Sequence, residues 1–168
     1  MKNNLAKIIG VIGIFIFFVA TISAVGSCFD SINKSNVVEK EFYEVGEEVE
    51  VNNNILLVSA AKESSGYGWS KPKNGKRFVI VLVTIKNNGD KEIDYSPSDF
   101  RLENGCGQID STAFTTIDSE TCLHRGTLAP GGVVSGTVTF EESVGDYDLK
   151  LLYKVGFFDR KEVKVKLN

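Results

Sequence analysis

The chain predicts an all-β fold: an antiparallel β-sandwich preceded by an N-terminal hydrophobic signal or anchor helix. Three observations carry that expectation. Beyond residue 28 no segment sustains a helical period, whereas several short runs alternate apolar and polar residues, as a half-buried strand requires. Clusters of Asn, Gly and Pro punctuate those runs at the spacing of strand–turn–strand architectures. One long uncharged run, residues 8–25 (IIGVIGIFIFFVATISAV), stands at the start behind Lys2 and Lys7.

That first run lies between two length limits. A signal peptide has an apolar core of roughly 7–15 residues behind a basic n-region, and a spanning helix needs about 20 apolar residues. Its close is Val25-Gly26-Ser27-Cys28, which resembles the bacterial lipoprotein signal: an aliphatic residue, two small ones and a cysteine. In that family the thiol receives a diacylglyceryl group and a peptidase cuts just before it. The resemblance therefore implies lipidation at Cys28 and a signal peptide over residues 1–28. An uncleaved membrane anchor and plain secretion are the alternatives. Both anchored readings keep the lysine end in the cytoplasm and expect the remainder on the extracytoplasmic face of the bacterial cell membrane.

Residues 29–45 are polar and weakly patterned, and they read as a tether. Residues 46–168 then form one domain, long enough to bury a core without staples. Residues 47–51 and 55–61 are short β-rich runs parted by Asn52-Asn53-Asn54, a turn-forming cluster. Residues 77–86 (RFVIVLVTIK) are apolar on both faces and predict a central strand. Asn88-Gly89 suits the type I′ turn of a hairpin. Phe100 and Leu102 mark a strand running toward Cys106. In Ala129-Pro130-Gly131-Gly132, proline presets φ and glycine accepts φ > 0, so the segment reads as a sharp turn. It launches residues 134–141, with Val134, Gly136, Val138 and Phe140 on one face and Ser135, Thr137 and Thr139 opposite. Residues 149–153 follow. The last strand alternates Val163, Val165 and Leu167 with Lys164 and Lys166, and those lysines discourage edge-to-edge pairing.

Two stretches resemble a known family. One runs Lys71-Pro72-Lys73-Asn74-Gly75-Lys76-Arg77-Phe78 and on to Asn87-Asn88-Gly89; the other is Gly126-Thr127-Leu128-Ala129-Pro130-Gly131-Gly132 leading to Phe140. Both are similar to the immunoglobulin-like domain of unknown function carried by many Gram-positive lipoproteins and membrane-anchored proteins. That family's fold is similar to a secreted mycobacterial immunogenic antigen. The resemblance, over roughly residues 42–168, implies an extracytoplasmic immunoglobulin-like β-sandwich and transfers no catalytic residue.

Charge and cysteine content narrow the function classes. The chain has 19 basic and 22 acidic residues, so without Lys2 and Lys7 the balance is 17 − 22 = −5. No basic stripe stands out, which argues against a nucleic-acid partner. With Cys28 lipidated, Cys106 and Cys122 remain as an even pair in an oxidising compartment, and a disulfide between them is expected. A bridge there would contribute about 3 kcal/mol on the chain-entropy estimate. Free thiols are the alternative; a metal pair is disfavoured because His124 is the only histidine and no CxxC spacing exists.

No cofactor or metal is expected. His124 precedes the Pro-Gly-Gly corner without a nucleophile motif, so it reads as an exposed turn residue rather than a catalytic base. Asp94, Asp99, Asp110 and Asp118 lie in connections, and no spacing selects two of them as a hydrolytic pair. Calcium would want closely spaced oxygen ligands, and Asp146 and Asp148, flanking Tyr147, offer only a thin suggestion of them. The candidate binding loop is Gly66-Tyr67-Gly68-Trp69, where Tyr67 and Trp69 offer large rigid faces for a protein, peptide or cell-wall glycan. Against that stands a capping role, with Trp69 folded back onto the sandwich end. The expectation is a non-catalytic, membrane-tethered binding domain; the alternative is a carboxylate-dependent or calcium-binding cell-envelope enzyme.

Overall fold

Strand alternation in the sequence resolves into two packed sheets in a computed structural model, which describes residues 41–154 and 162–168. The signal or anchor segment, Cys28 and residues 29–40 of the expected tether lie outside the described residues. Among the described residues, no helix is long and apolar enough to cross a membrane.

In chain order the strands are β1 (Tyr43–Glu44), β2 (Glu48–Val51), β3 (Asn54–Ser64), β4 (Lys76–Asn87) and β5 (Ile93–Tyr95). A 3-10 turn over Pro97–Asp99 leads to β6 (Phe100–Glu103), β7 (Ile109–Ser111), β8 (Gly126–Leu128), β9 (Val133–Ser143), β10 (Lys150–Lys154) and β11 (Glu162–Lys166). One sheet has the order β1-β11-β10-β6-β7, the second β2-β3-β4-β9, and β5 pairs with β8 as a separate ribbon. All pairs are antiparallel except β1 with β11. Tyr43 and Glu44, read from sequence as tether, are therefore a strand of the sheet.

The core lies between the two sheets. Leu56, Val58, Val81, Val83 and Ile85 come from one side, and Phe100, Leu102, Leu151 and Val165 from the other. Phe100 stacks on Tyr153 with ring centroids 4.7 Å apart. As expected, β4 is internal to its sheet, between β3 and β9.

Turn chemistry explains how the strands connect. Asn52 and Asn53 both take left-handed φ values, 50° and 62°, the two-residue geometry whose twist matches a hairpin. Asn88-Gly89 departs from expectation: neither residue is left-handed, and the chain leaves the sheet for the β5–β8 ribbon. Asn87 is the reason. It is fully buried, and its side-chain amide donates to the carbonyls of Lys91 and Leu128 at 2.7 and 3.0 Å while accepting from the Gly89 N–H. Its backbone also exchanges hydrogen bonds with Gly131 and Gly132, both 2.9 Å. In the Pro-Gly-Gly corner itself, Gly132 N–H donates to the Ala129 carbonyl at 2.8 Å and Gly131 has φ 77°, a type II turn. The two motif stretches thus meet at one asparagine.

Strand β9 also differs from its simple alternation, since Thr137 and Thr139 are buried. The β7–β8 connection lies along the strand. Ala113 N–H donates to the Thr139 carbonyl at 2.7 Å, Leu123 N–H to the Thr137 carbonyl at 2.8 Å, and Thr137 N–H to the Thr121 carbonyl at 2.8 Å.

The expected disulfide is not formed: Cys106 and Cys122 are free thiols. Cys122 is bridged to Thr137, whereas Cys106 sits in a turn whose Asn104 reaches Glu142 and whose Gly105 N–H donates to Asp146. Thr137 and Glu142 are five residues apart on one strand, roughly 17 Å at about 3.3 Å per residue. A disulfide requires Cα atoms within about 7 Å, so counting cysteines paired two residues that the sheet holds apart.

Candidate functional site

The β3–β4 loop is shaped by its glycines. Gly66 and Gly68 have φ values of 78° and 55°, a region that side chains disfavour. A Cβ on Gly66 would collide with the Ser70 carbonyl. This permits a tight turn in which Tyr67 and Ser70 exchange backbone hydrogen bonds, each 3.0 Å. Gly68-Trp69 occupies the tip, and Trp69 is as exposed as a free side chain, at 105%. The capping role considered for Trp69 is thereby excluded. Tyr67 is also exposed.

A second loop completes the surface. The Ser70 and Thr115 hydroxyls are hydrogen-bonded at 2.7 Å, tying the β3–β4 loop to the β7–β8 connection. Beside Thr115 stands Phe114, exposed to 106%. Trp69 and Phe114 line a shallow cleft of about 380 Å³, with the buried Phe78 also lining it and Lys71, Lys73 and Glu141 as its charged groups. Lys73 is committed to Glu141, through its Nζ at 3.4 Å and its backbone N–H at 2.9 Å. The lining thus mixes aromatic faces with hydroxyls and charges. Of this lining, sequence reading singled out Trp69 and missed Phe114, whose one signal was an aromatic residue inside the polar run Ser111-Thr112-Ala113-Phe114-Thr115-Thr116; Tyr67, the other candidate, is exposed but is not part of the lining.

The other sequence candidates separate. His124 is exposed, and its Nε2 lies 3.7 Å from the Cys122 thiol, so the fold gives it a sulfur neighbour that motif reading did not register. Asp118 lines a separate cleft with Cys122 and His124, but its Oδ2 accepts from the Thr137 and Thr139 hydroxyls at 2.5 and 2.8 Å. Among the described residues no carboxylate hydrogen-bonds to the imidazole, so the pair lacks the orienting third group of a nucleophilic triad. Asp110 receives the Gln108 amide. Asp146 accepts from Gly105 N–H, while Asp148 faces Lys150 at 3.5 Å. Among the described residues no three His, Cys, Asp or Glu side chains gather as a metal-ligand set.

Asp94 and Asp99 do come together, lining a cleft of about 790 Å³ at the other end of the sandwich. Burial pushes the Asp99 carboxyl above its ordinary value, against the lowering effects of the Ser96 backbone hydrogen bond and of Arg125. Its Oδ2 accepts from Ser96 N–H at 2.8 Å and caps the 3-10 turn.

Comparison with known proteins agrees with this architecture. The fold is similar to the yjhA protein of Bacillus subtilis (20% identity, TM-score 0.63, covering 75% of this chain and 99% of that one). It is similar also to ycdA, a candidate lipoprotein of Bacillus subtilis (20% identity, TM-score 0.57), where the match covers 71% of this chain and 38% of that one. MPT63, a secreted protein from Mycobacterium tuberculosis, matches at 13% identity and TM-score 0.53 over 77% of this chain and 98% of that one. No curated protein sequence matches the chain. Residues 43–163 match the family described as domain of unknown function (DUF4352), and the chain belongs to that family.

Proposed function

We propose that the protein is an extracytoplasmic, non-catalytic interaction module: an immunoglobulin-like domain held at the bacterial cell membrane by a lipid on Cys28 or by its N-terminal apolar helix. Its recognition surface is the Trp69–Phe114 cleft, and its partner is a surface protein, a peptide or a cell-wall glycan. The observation that carries this reading is the full exposure of two large aromatic side chains on two hydrogen-bonded loops. Covering such a side chain is worth about 1.5–3 kcal/mol, so leaving both in water forgoes stability that a partner would recover. The candidate lipoprotein and the secreted protein among the fold neighbours support the extracytoplasmic part.

The test compares the full chain with the Trp69→Ala/Phe114→Ala variant. Expected is at least about a tenfold weaker retention on purified cell-wall glycan or on surface proteins of the source cells, with the melting temperature nearly unchanged. Equal retention by the variant would remove the cleft from the reading. The alternative, a carboxylate-dependent or calcium-binding cell-envelope enzyme, has in its favour the meeting of Asp94 and Asp99 in one cleft. Against it, one oxygen of each carboxylate is already engaged, by Thr127 and by Ser96. Reproducible turnover that disappears in Asp94→Asn would establish the enzyme instead.

A further inference from the structure

The aromatic cleft lies near the start of β4, at Phe78, and the larger cleft near its end, at Asn54 beside Asn87. This second cleft, about 790 Å³, is lined by side chains of both charges, among them Asp94, Asp99, Arg101, Arg125 and Lys154. Its volume is that of a small-molecule site.

The charges are arranged with some left uncommitted. Arg101 is neutralised by an ion pair with Glu162. Arg125 and Lys154 make no ion pair among the described residues, and both are exposed. Asp94 and Asp99 are each steadied through one oxygen, by the Thr127 hydroxyl at 2.7 Å and the Ser96 N–H at 2.8 Å. Each keeps lone pairs to offer. Arg125 and Asp94 both act on the Asp99 carboxyl, the first lowering and the second raising its proton affinity, so the three share one local field.

Such a lining disfavours either simple ion. An anion drawn to Arg125 and Lys154 meets two carboxylates, and a cation drawn to the carboxylates meets two positive groups. A molecule carrying both charges satisfies both halves. Asn54, which is 4% exposed, also lines the cleft. Ile93 and Tyr95 supply an apolar wall. Tyr95 occupies its place because its register partner is Gly126, where a Cβ would meet the phenol oxygen at 2.5 Å.

We propose that this cleft binds a small zwitterion, an α-amino acid or a short peptide with free ends. Arg125 and Lys154 take its carboxylate; Asp94 and Asp99 take its ammonium. The site is independent of the aromatic cleft and of the function assigned to it.

Calorimetric titration of the detergent-solubilised full chain tests this with four probes: alanine, dialanine, N-acetylalanine (anion only) and alaninamide (cation only). Expected is saturable binding of alanine, dialanine or both, the tighter one identifying a free amino acid or a peptide as the source. Either capped probe should bind at least about tenfold more weakly, and Arg125→Gln or Asp94→Asn should weaken the zwitterion by a similar factor. Both substituted residues are exposed, so an unchanged melting temperature will show that the variants fold. Trp69→Ala should leave the titration as it is. Absence of saturable binding by both zwitterions, or equal binding of a capped probe, would overturn the proposal. So would binding lost in Trp69→Ala and retained in Arg125→Gln, which would move the ligand to the other cleft.

Discussion

Arg77 and Glu142 form the most consequential polar feature of the core. They are register partners on β4 and β9, directly beyond the core pair Val79 and Phe140, and they are 5% and 1% exposed. The Arg77 guanidinium reaches Glu63 at 3.3 Å, donates to the Asp146 carbonyl and lies 4.9 Å from the Tyr147 ring centroid. Glu142 accepts through Oε1 from Ser143 N–H at 2.7 Å and from the Asn104 amide at 3.4 Å. Three buried atoms are left without partners: Arg77 Nε, Arg77 Nη1 and Glu142 Oε2. At about 1–3 kcal/mol each, they represent roughly 3–9 kcal/mol of desolvation that no hydrogen bond returns. Arg77→Met alone should therefore destabilise by about 3 kcal/mol or more, because it leaves Glu142 as a buried charge without a nearby cation. Glu142→Leu alone should cost a similar amount, because the buried Arg77 is then left with only the half-exposed Glu63 as its counter-charge. The double variant removes all three orphan atoms together and should lie within about 1 kcal/mol of the parent, or above it. Urea unfolding of the four proteins reads this as a double-mutant cycle with a coupling of about 3 kcal/mol or more. In thermal melts each single variant should fall by roughly 10 °C. If the double variant loses the sum of the two single losses, the charges are uncoupled and the reasoning fails.

Two more outcomes follow from the same geometry. Asn87→Ala removes three side-chain hydrogen bonds from a fully buried residue, so a loss of about 3 kcal/mol is expected in chemical unfolding; a loss below about 1 kcal/mol would deny Asn87 its joining role. For Glu103, hydrogen bonds and charge from Lys164, joined by Lys150, hold the carboxyl below its ordinary value of 4.5 despite opposing desolvation. A lowered folded-state value means that the unfolded chain binds more protons in this window. The stabilisation is therefore complete above the ordinary value and is lost as pH falls through the lowered one. Glu103→Gln should flatten that acid limb in melts taken across pH 2–6 (about the carboxylate range), and an unchanged limb would show that another carboxylate governs it.

The aromatic and the charged clefts differ in how far they were legible beforehand. Trp69 could be found because Gly66 and Gly68 mark a loop locally, and a loop tryptophan is conspicuous. Phe114 could not, since its exposure depends on the β7–β8 connection being laid along β9 by bonds between Ala113 and Thr139 and between Thr121, Leu123 and Thr137. The same connection brought Cys122 to His124 and kept it from Cys106. Asp94 and Asp99 were visible as loop acids, but their neighbours Arg125 and Lys154 come from segments far along the chain.

The amino-acid sequence by itself determined the longer strands β2, β3, β4, β6, β9, β10 and β11 in outline, the Asn52-Asn53 turn, the Pro-Gly-Gly corner and the family, because alternation and turn chemistry are properties of neighbouring residues. Only the tertiary structure decided that the two motif stretches join at Asn87, that the cysteines stay apart, and that charges of both signs line one cleft. Those outcomes rest on hydrogen bonds and sheet pairings between residues dozens of positions apart, where a local pattern carries no information about which polar group will meet which.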